Sequence, residues 1–342
     1  MPLRLGERPL SSGSGGATSQ PHASPLPAAV DELWKRRALL DRGDAQAHSV
    51  VVSAVDMLDT GDARVAAVSG DGEVVVDERA RRAVALAFQV LGMARSQVGD
   101  FHHNDRIPLK TSFDGVHVVP GAIARWGAHL APGVVLMPSF VDIGARVDAG
   151  ARVDTWVSVG SCAQIGRDVH LRCGAGIGGT EESGLGDGAG EVAGFSRTDG
   201  NDGLSGADGL SGVGGIGGGT VPPGAARDVP AVPAVPAVVE DGALVGSRAL
   251  VAEGARVGRG AVIGAGTILT ARTPVVDART GEELGRGHVP DRCVAVGGTR
   301  SAGFAGGVFG LPCVLVVGRL RRDPRHDRAE LDEILREHGF GV

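Results

Sequence analysis

Three aspartates recur at six-residue intervals and are the first side chains whose type and spacing suggest chemistry. They are Asp142, Asp148 and Asp154. A carboxylate can accept a proton from a nucleophile, but an aspartate at a turn can equally accept hydrogen bonds from the backbone amides of that turn. The residues alone leave both interpretations open for Asp154.

The cysteines and histidines show no arrangement of their own. The four cysteines form neither a CxxC motif nor a cluster, so we expect reduced structural thiols; they are Cys162, Cys173, Cys293 and Cys313. Cys162 lacks an identifiable base, which favours a packing role over a nucleophilic one. His117, His129 and His170 do not have the arrangement of a ligand set, so no metal site is predicted. His170 is interpreted as a structural hydrogen-bonding residue.

Length, charge and composition exclude several classes of partner. The 342 residues carry a formal charge of −6 and no long basic run, which argues against nucleic acid and membrane surfaces as partners. No apolar stretch is long enough to span a membrane, and no secretion signal is recognised, so we expect a cytoplasmic protein. The 57 glycines and the aromatic content of only 3% indicate a fold with little room for bulky side chains.

Aliphatic residues at every sixth position predict the scaffold that holds these groups. The two runs are Val141, Val147, Val153, Val159, Ile165, Leu171 and Ile177, then Val239, Val245, Val251, Val257, Ile263 and Leu269. A period of six fits neither an α-helix nor a long strand, but it fits a chain that turns a corner every six residues. Three sides close an 18-residue coil, and coils stack through parallel hydrogen bonding. We therefore predict a mainly β chain built on a left-handed parallel β-helix.

The remaining segments differ in composition and define the expected organisation. Helical spacing of apolar residues predicts a small α-rich N-terminal domain and a closing helix at 324–338, and 64–76 reads as a hairpin. A Gly- and Pro-rich segment separates the two runs, as a lid, a partner-binding arm or a neutral disordered insertion. The predicted regions are a disordered tail 1–27, an N-terminal domain and linker 28–116, the β-helix 117–179, the insertion 180–236, the β-helix continued 237–300, and a C-terminal strand and helix 301–342.

One long segment carries a family resemblance. Residues 106–179, with their VDTW, VGSCAQIG, VHL and GIGG motifs, closely resemble the core of the 2,3,4,5-tetrahydropyridine-2,6-dicarboxylate N-succinyltransferases. The resemblance implies a homotrimer with succinyl-CoA as co-substrate, no permanently bound cofactor, and a small-molecule amine as acceptor. It also implies a place in lysine and diaminopimelate biosynthesis.

The resemblance also implies roles for individual residues. Asp154 in VDTW matches the aspartate that orients and deprotonates the amine in that family, and the alternative is a corner aspartate that accepts hydrogen bonds from the amides of its turn. The expected substrate-binding residues are His117, Trp156 and Arg248. The expected acyl-CoA-binding residues are Ser161, Gly178 and Gly179.

This chain differs from the family at positions where the family binds the acceptor substrate. His117 stands where the family usually has an arginine that grips a carboxylate, and Leu250 in GSRAL replaces a glutamate. Two alternatives therefore stay open beside the family activity. One is a diverged paralogue that acylates another amino-acid-like substrate, with acetyl-CoA as an alternative donor. The other is a catalytically inactive solenoid that binds a partner through its insertion.

Overall fold

The structure, a computed structural model, describes residues 24–178, 235–321 and 328–337. Within these residues the helices are α1 (Ala29–Lys35), α2 (Ala45–Thr60), α3 (Glu78–Val90) and α4 (Arg328–Glu337), with a 3-10 turn at Arg37–Leu39. Short strands make up most of the remainder. None of the helices in these ranges is long and apolar enough to cross a membrane.

The N-terminal helices are delimited by side chains that cap their first turns. Asp44 accepts a hydrogen bond from the amide of Ala47 at 2.8 Å at the start of α2, and Asp77 accepts from the amides of Arg79 and Ala80 at the start of α3. Between these helices β1 (Ala66–Val68) pairs antiparallel with β2 (Val74–Val76), which confirms the predicted hairpin. A second hairpin, β3 (Ala94–Val98) with β4 (Phe101–Asp105), follows α3. At the end of the predicted tail, Leu26 is buried.

Three parallel sheets form the sides of a triangular prism, and we call them faces A, B and C. Face A consists of β7 (His129–Leu130), β10 (Arg146–Val147), β13 (Gln164–Ile165), β16 (Val238–Val239), β19 (Arg256–Val257) and β24 (His288–Val289). Face B contains β5 (His117–Val118), β8 (Val135–Leu136), β11 (Arg152–Val153), β14 (His170–Leu171), β17 (Leu244–Val245) and β20 (Val262–Ile263). Face C consists of β6 (Ile123–Ala124), β9 (Phe140–Val141), β12 (Ser158–Val159), β15 (Gly176–Ile177), β18 (Leu250–Val251) and β21 (Ile268–Leu269).

The second residue of each two-residue strand points into the prism, and the first points outward. All thirteen aliphatic positions of the repeat are at most 1% exposed. Each such side chain contributes roughly 1.5–3 kcal/mol through burial. Val147 lies beside Ile165, one 18-residue coil later, with their strands parallel. The predicted fold class, a mainly β chain built on a hexapeptide-repeat parallel β-helix, is confirmed.

The prism continues in register across the predicted insertion. Gln164 of β13 pairs with Val238 of β16, which is 74 residues later rather than 18. The extra 56 residues explain why the two aliphatic runs are out of phase. Residues 179–234, which include Gly179 and nearly all of the 180–236 segment, lie outside the described residues.

The last part of the chain leaves the coil twice. A hairpin of β22 (Pro274–Asp277) and β23 (Glu283–Arg286) departs between β21 and β24. The chain then forms β25 (Cys293–Phe304) and β26 (Gly307–Arg319), a long antiparallel pair that runs across the boundary expected at residue 300. Helix α4, within the range predicted for the closing helix, packs Leu331 and Leu335 near Val262 of face B.

The N-terminal domain covers face A. Gly127 lies at a corner of the prism with φ +86°, and a Cβ there would come within 2.7 Å of Val55 Cγ1 on α2. Arg146 and Arg256 of face A reach the carbonyl oxygens of Gly61 and Gly72 in the N-terminal domain. Face A is therefore covered by packing, whereas much of faces B and C is not covered by the residues that the structure describes.

Candidate active site at a corner of the β-helix

Asp154 and His170 form a hydrogen-bonded pair at the corner between faces B and C. Asp154 directly follows β11, and His170 is the outward residue of β14, one coil further on. His170 Nε2 lies 2.8 Å from Asp154 Oδ2, and both side chains are 29% exposed. A carboxylate that holds an imidazole, with both groups open to solvent, is an arrangement able to take a proton from a bound nucleophile.

The sequence singled out Asp154 but missed its partner. The interpretation of His170 as a structural residue did not say what it bonds to. The coil length held the missing signal, because Arg152 and His170 are ladder partners 18 residues apart. Asp154, at the corner two positions after Arg152, therefore lies next to His170, which follows it by 16 positions.

Trp156 lies at the same corner with its indole in solvent. Its φ is +63°, in the left-handed region, and its amide donates a hydrogen bond to the carbonyl of Pro138 at 2.7 Å. The side chain is 77% exposed, which is unusual for tryptophan in a region with few aromatic residues. A ligand at this corner could stack against the exposed ring.

Arg248 occupies the equivalent corner position two coils beyond Trp156. It too has a left-handed backbone, with φ +59°, and its amide donates to the carbonyl of Cys173 at 3.0 Å. The side chain is exposed, and no acidic side chain of the described ranges pairs with it. Asp154, Trp156 and Arg248 therefore line one edge of the prism, with the exposed thiol of Cys173 between them.

His117 does not join this edge. It lies on face B at β5, and β8 and β11 separate it from β14, which carries His170. Three strand spacings place the two histidines roughly 14 Å apart along the prism. The imidazole of His117 is exposed and has no side-chain partner within the described residues.

The residues expected to contact acyl-CoA lie along the opposite edge of face C. Ser161 Oγ donates to Asp142 Oδ2 at 2.8 Å, and Asp142 also accepts from Arg125 Nη1 at 3.0 Å. Gly178 has φ +65°, which a residue with a Cβ rarely adopts. Gly179 lies outside the described residues, so its expected role stays a prediction.

Face C separates these two edges, and the outward residues of its described strands are all uncharged. The outward residues of its strands are Ile123, Phe140, Ser158, Gly176, Leu250 and Ile268. Leu250 lies over Gly176, where its Cδ1 would be only 3.1 Å from a Cβ. A group that bridges the two edges would cross a narrow, uncharged surface with little side-chain bulk at Gly176.

Cys162 is excluded as a nucleophile by its surroundings. Burial raises the pKa of its thiol to about 12, and the nearby carboxylates of Asp142 and Glu253 act in the same direction. The reactive form of a cysteine is the thiolate, which is negligible near neutral pH at such a pKa. The predicted packing role of Cys162 is confirmed by its place in the core between the prism and the N-terminal domain.

Comparison with known proteins supports the resemblance seen in the sequence. The family model described as tetrahydrodipicolinate N-succinyltransferase N-terminal matches residues 25–90. The model described as hexapeptide repeat of succinyl-transferase matches residues 236–271. The predicted resemblance to this family is thereby confirmed.

Curated relatives carry the same description. The 2,3,4,5-tetrahydropyridine-2,6-dicarboxylate N-succinyltransferase of Paramagnetospirillum magneticum is 37% identical over 169 residues, 46% of this chain and 60% of the relative. The protein of the same description from Histophilus somni is 44% identical over 147 residues, 41% of this chain and 54% of the relative. The match thus spans about 60% or less of the length of these relatives.

Similarity to a solved structure is low. PerB from Caulobacter crescentus, in complex with CoA and GDP-perosamine, is 16% identical with a TM-score of 0.24, over 54% of this chain and 51% of that chain. Similarity at this level supports no conclusion about the site.

Proposed function

We propose that this chain is an acyl-CoA-dependent N-acyltransferase that moves the succinyl group of succinyl-CoA to the amine of an amino-dicarboxylate. This is the reaction named for its curated relatives, and it belongs to lysine and diaminopimelate biosynthesis. The observation that carries the proposal is the Asp154–His170 pair, at an exposed corner that Arg248 shares.

The reaction needs a proton acceptor next to the nucleophile. In a tetrahydropyridine, addition of water across the ring C=N bond generates the amine. Its nitrogen attacks the thioester carbonyl carbon, so that a C–N bond forms and the C–S bond breaks. The amine proton passes to the Asp154–His170 pair, and the CoA thiolate takes up one proton as it leaves. Asp154 orients the amine in this scheme, while Trp156 and Arg248 hold the rest of the acceptor.

The acyl-CoA arm would run along the other edge of face C. We assign Ser161, Gly178 and Gly179 to this arm from the family resemblance. The thioester carbonyl carbon would then lie at this edge, between the CoA sulfur and the amine held by the edge of another copy. No permanently bound cofactor takes part in this scheme.

We further propose a homotrimer in the cytoplasm, where acyl-CoA donors are available. The N-terminal domain of the same chain covers face A, which leaves open surface on faces B and C for other copies. The expected amine-binding and acyl-CoA-binding residues lie on opposite edges of face C. A second copy would complete the site by bringing one copy's amine edge to another copy's acyl-CoA edge.

A second candidate is a diverged enzyme with another amino-acid-like acceptor. Leu250 and the neutral surface of face C favour it, because an acceptor with fewer carboxylates needs fewer cations. Measurement of thiol release from succinyl-CoA and acetyl-CoA, each against a panel of amines, tests both candidates. Release with succinyl-CoA and tetrahydrodipicolinate supports the first, and release only with another amine supports the second. Release with no pair would contradict both and favour an inactive solenoid.

A further inference from the structure

The outward arginines of the two-residue strands differ between faces A and B. On face A, Arg146 pairs with Asp148 at 2.8 Å and Arg256 with Glu240 at 2.7 Å. On face B, Arg152 is exposed and has neither an acidic side chain nor a hydrogen-bond partner for its guanidinium within the described residues. The positive charge of Arg152 is therefore not neutralised by these parts of the chain.

The position of Arg152 connects that charge to the proposed active site. Arg152 is the ladder partner of His170, so the two outward side chains leave face B from adjacent strands, about 4.8 Å apart. His170 in turn holds Asp154. Arg248 lies on the same edge beyond His170. The Asp154–His170 pair thus lies between two exposed guanidinium groups that no described carboxylate neutralises.

A guanidinium binds a carboxylate through two parallel hydrogen bonds, which an imidazole cannot do. The sequence assigned a substrate contact to His117, but that residue lies three strands from His170, whereas Arg152 lies one strand away. We infer that, within one copy, Arg152 rather than His117 acts together with Arg248 to bind the two carboxylates of the acceptor. This inference rests on the proposed function and adds a specificity-determining residue to it.

The experiment compares Arg152→Gln with the unchanged full chain in thiol-release assays. The acceptors are 2,3,4,5-tetrahydropyridine-2,6-dicarboxylate and its 2-carboxylate analogue, which lacks one carboxylate. For Arg152→Gln we expect the preference for the dicarboxylate to fall by about 10- to 100-fold, through the KM of the acceptor. The KM of succinyl-CoA should not change. Arg152→Lys keeps the positive charge but cannot form two parallel hydrogen bonds to a carboxylate. Its preference for the dicarboxylate should therefore lie between those of the unchanged chain and Arg152→Gln.

Arg167→Gln is the matched control. Arg167 is also exposed and belongs to the same coil as His170, but it lies at the corner between faces A and B. It should leave the preference unchanged. A preference that is unchanged in Arg152→Gln, or lost in His117→Ala alone, overturns the inference.

Two further readouts separate this inference from the proposed function and from assembly. If none of the amines tested makes the unchanged chain release thiol, the proposed function fails. Calorimetric titration of the protein with the dicarboxylate then still tests the role of Arg152. Weaker binding to Arg152→Gln than to Arg167→Gln would then support the inference, and equal or undetectable binding would overturn it. If Arg152→Gln reduces the oligomeric state instead of acceptor affinity, Arg152 pairs with another copy and the inference is wrong.

Discussion

Faces A and B come from the same coil and the same repeat, yet the outward arginines of their strands differ in whether they are paired. On face A, Arg146 and Arg256 have carboxylate partners, and Gln164 Oε1 accepts from Arg64 Nη2 at 3.3 Å. On the open part of face B, His117 and Arg152 have no side-chain partner within the described residues. The partner of His170 is Asp154, which is itself half-buried and at the edge of the open surface.

Solvent explains the difference. The N-terminal domain removes water from face A, and a charge without water must be paired within the protein or it costs several kcal/mol. Water remains on face B and solvates an unpaired guanidinium at little cost. Such a group stays available to a ligand. The repeat therefore gives both faces the same backbone. Because the N-terminal domain covers face A and not face B, the side chains of face A are structural, whereas those of face B can bind a ligand.

The largest expected effect is on catalysis at the open corner. Asp154→Asn keeps the shape but removes the carboxylate that holds His170, so thiol release should fall by about 100- to 10,000-fold. Steady-state assays with succinyl-CoA measure this loss. Asp241→Asn is the matched control, because Asp241 is a corner aspartate that accepts a hydrogen bond from the amide of Arg167 at 2.8 Å. Equal losses in the two variants would show that Asp154 merely caps its turn.

The next effect concerns stability on the covered side. Glu240 is 7% exposed and accepts from Arg256 and Arg259. Glu240→Ala leaves the largely buried Arg256 without its carboxylate partner and should lower the free energy of unfolding by about 3–5 kcal/mol. Denaturant titration measures the change. Arg152→Ala on face B should change it by less than about 0.5 kcal/mol. Similar values for both variants would contradict the proposed difference between the faces.

A smaller effect is a pH dependence that arises on face A. Burial, and then the charge of nearby Arg146, lower the pKa of His129 below its ordinary value of 6.5. The unfolded chain then binds more protons than the folded one just below pH 6.5, so stability should fall as the pH drops through this range. Thermal unfolding between pH 7.5 and 5 should show a weaker dependence in His129→Asn. His117→Asn, on the open face, serves as the control, and a dependence that persists fully in His129→Asn would refute the assignment.

The smallest effect is a change in the rate at which Cys173, at the edge between faces B and C, is chemically modified. Of the four cysteines only Cys173 is exposed, and it lies between Trp156 and Arg248 along the edge. A maleimide should modify one thiol in the folded protein and four after denaturation, as counted by mass spectrometry. Tetrahydrodipicolinate should slow the reaction of Cys173 if the acceptor occupies this edge. Modification of Cys162 at a comparable rate would contradict its burial.

Much of the fold could be predicted because the repeat constrains each coil locally. Inward positions such as Val159 and Ile165 must be aliphatic in a narrow prism, so the spacing alone reveals the period. The change of phase between the two runs also revealed that a segment leaves the coil. The hairpin of β22 and β23 was not foreseen, because strands outside the repeat carry no comparable signal.

The site was only partly predictable. Asp154, Trp156 and Arg248 were named from the resemblance, and the structure places them along one edge. The pairing of Asp154 with His170 and the proximity of Arg152 follow from the 18-residue coil, but only once the ladder register is known. His117 was grouped with these residues by analogy, and the register separates it from them.

The amino-acid sequence by itself determined the prism, since aliphatic side chains every sixth residue can be buried together only if the chain turns a corner at that interval. It also determined which residues point outward from each strand. Only the tertiary structure decided which of those outward residues are buried and paired and which are exposed to solvent. The N-terminal domain removes water from face A, where charges must therefore find partners, and it leaves Arg152 and the Asp154–His170 pair in contact with solvent.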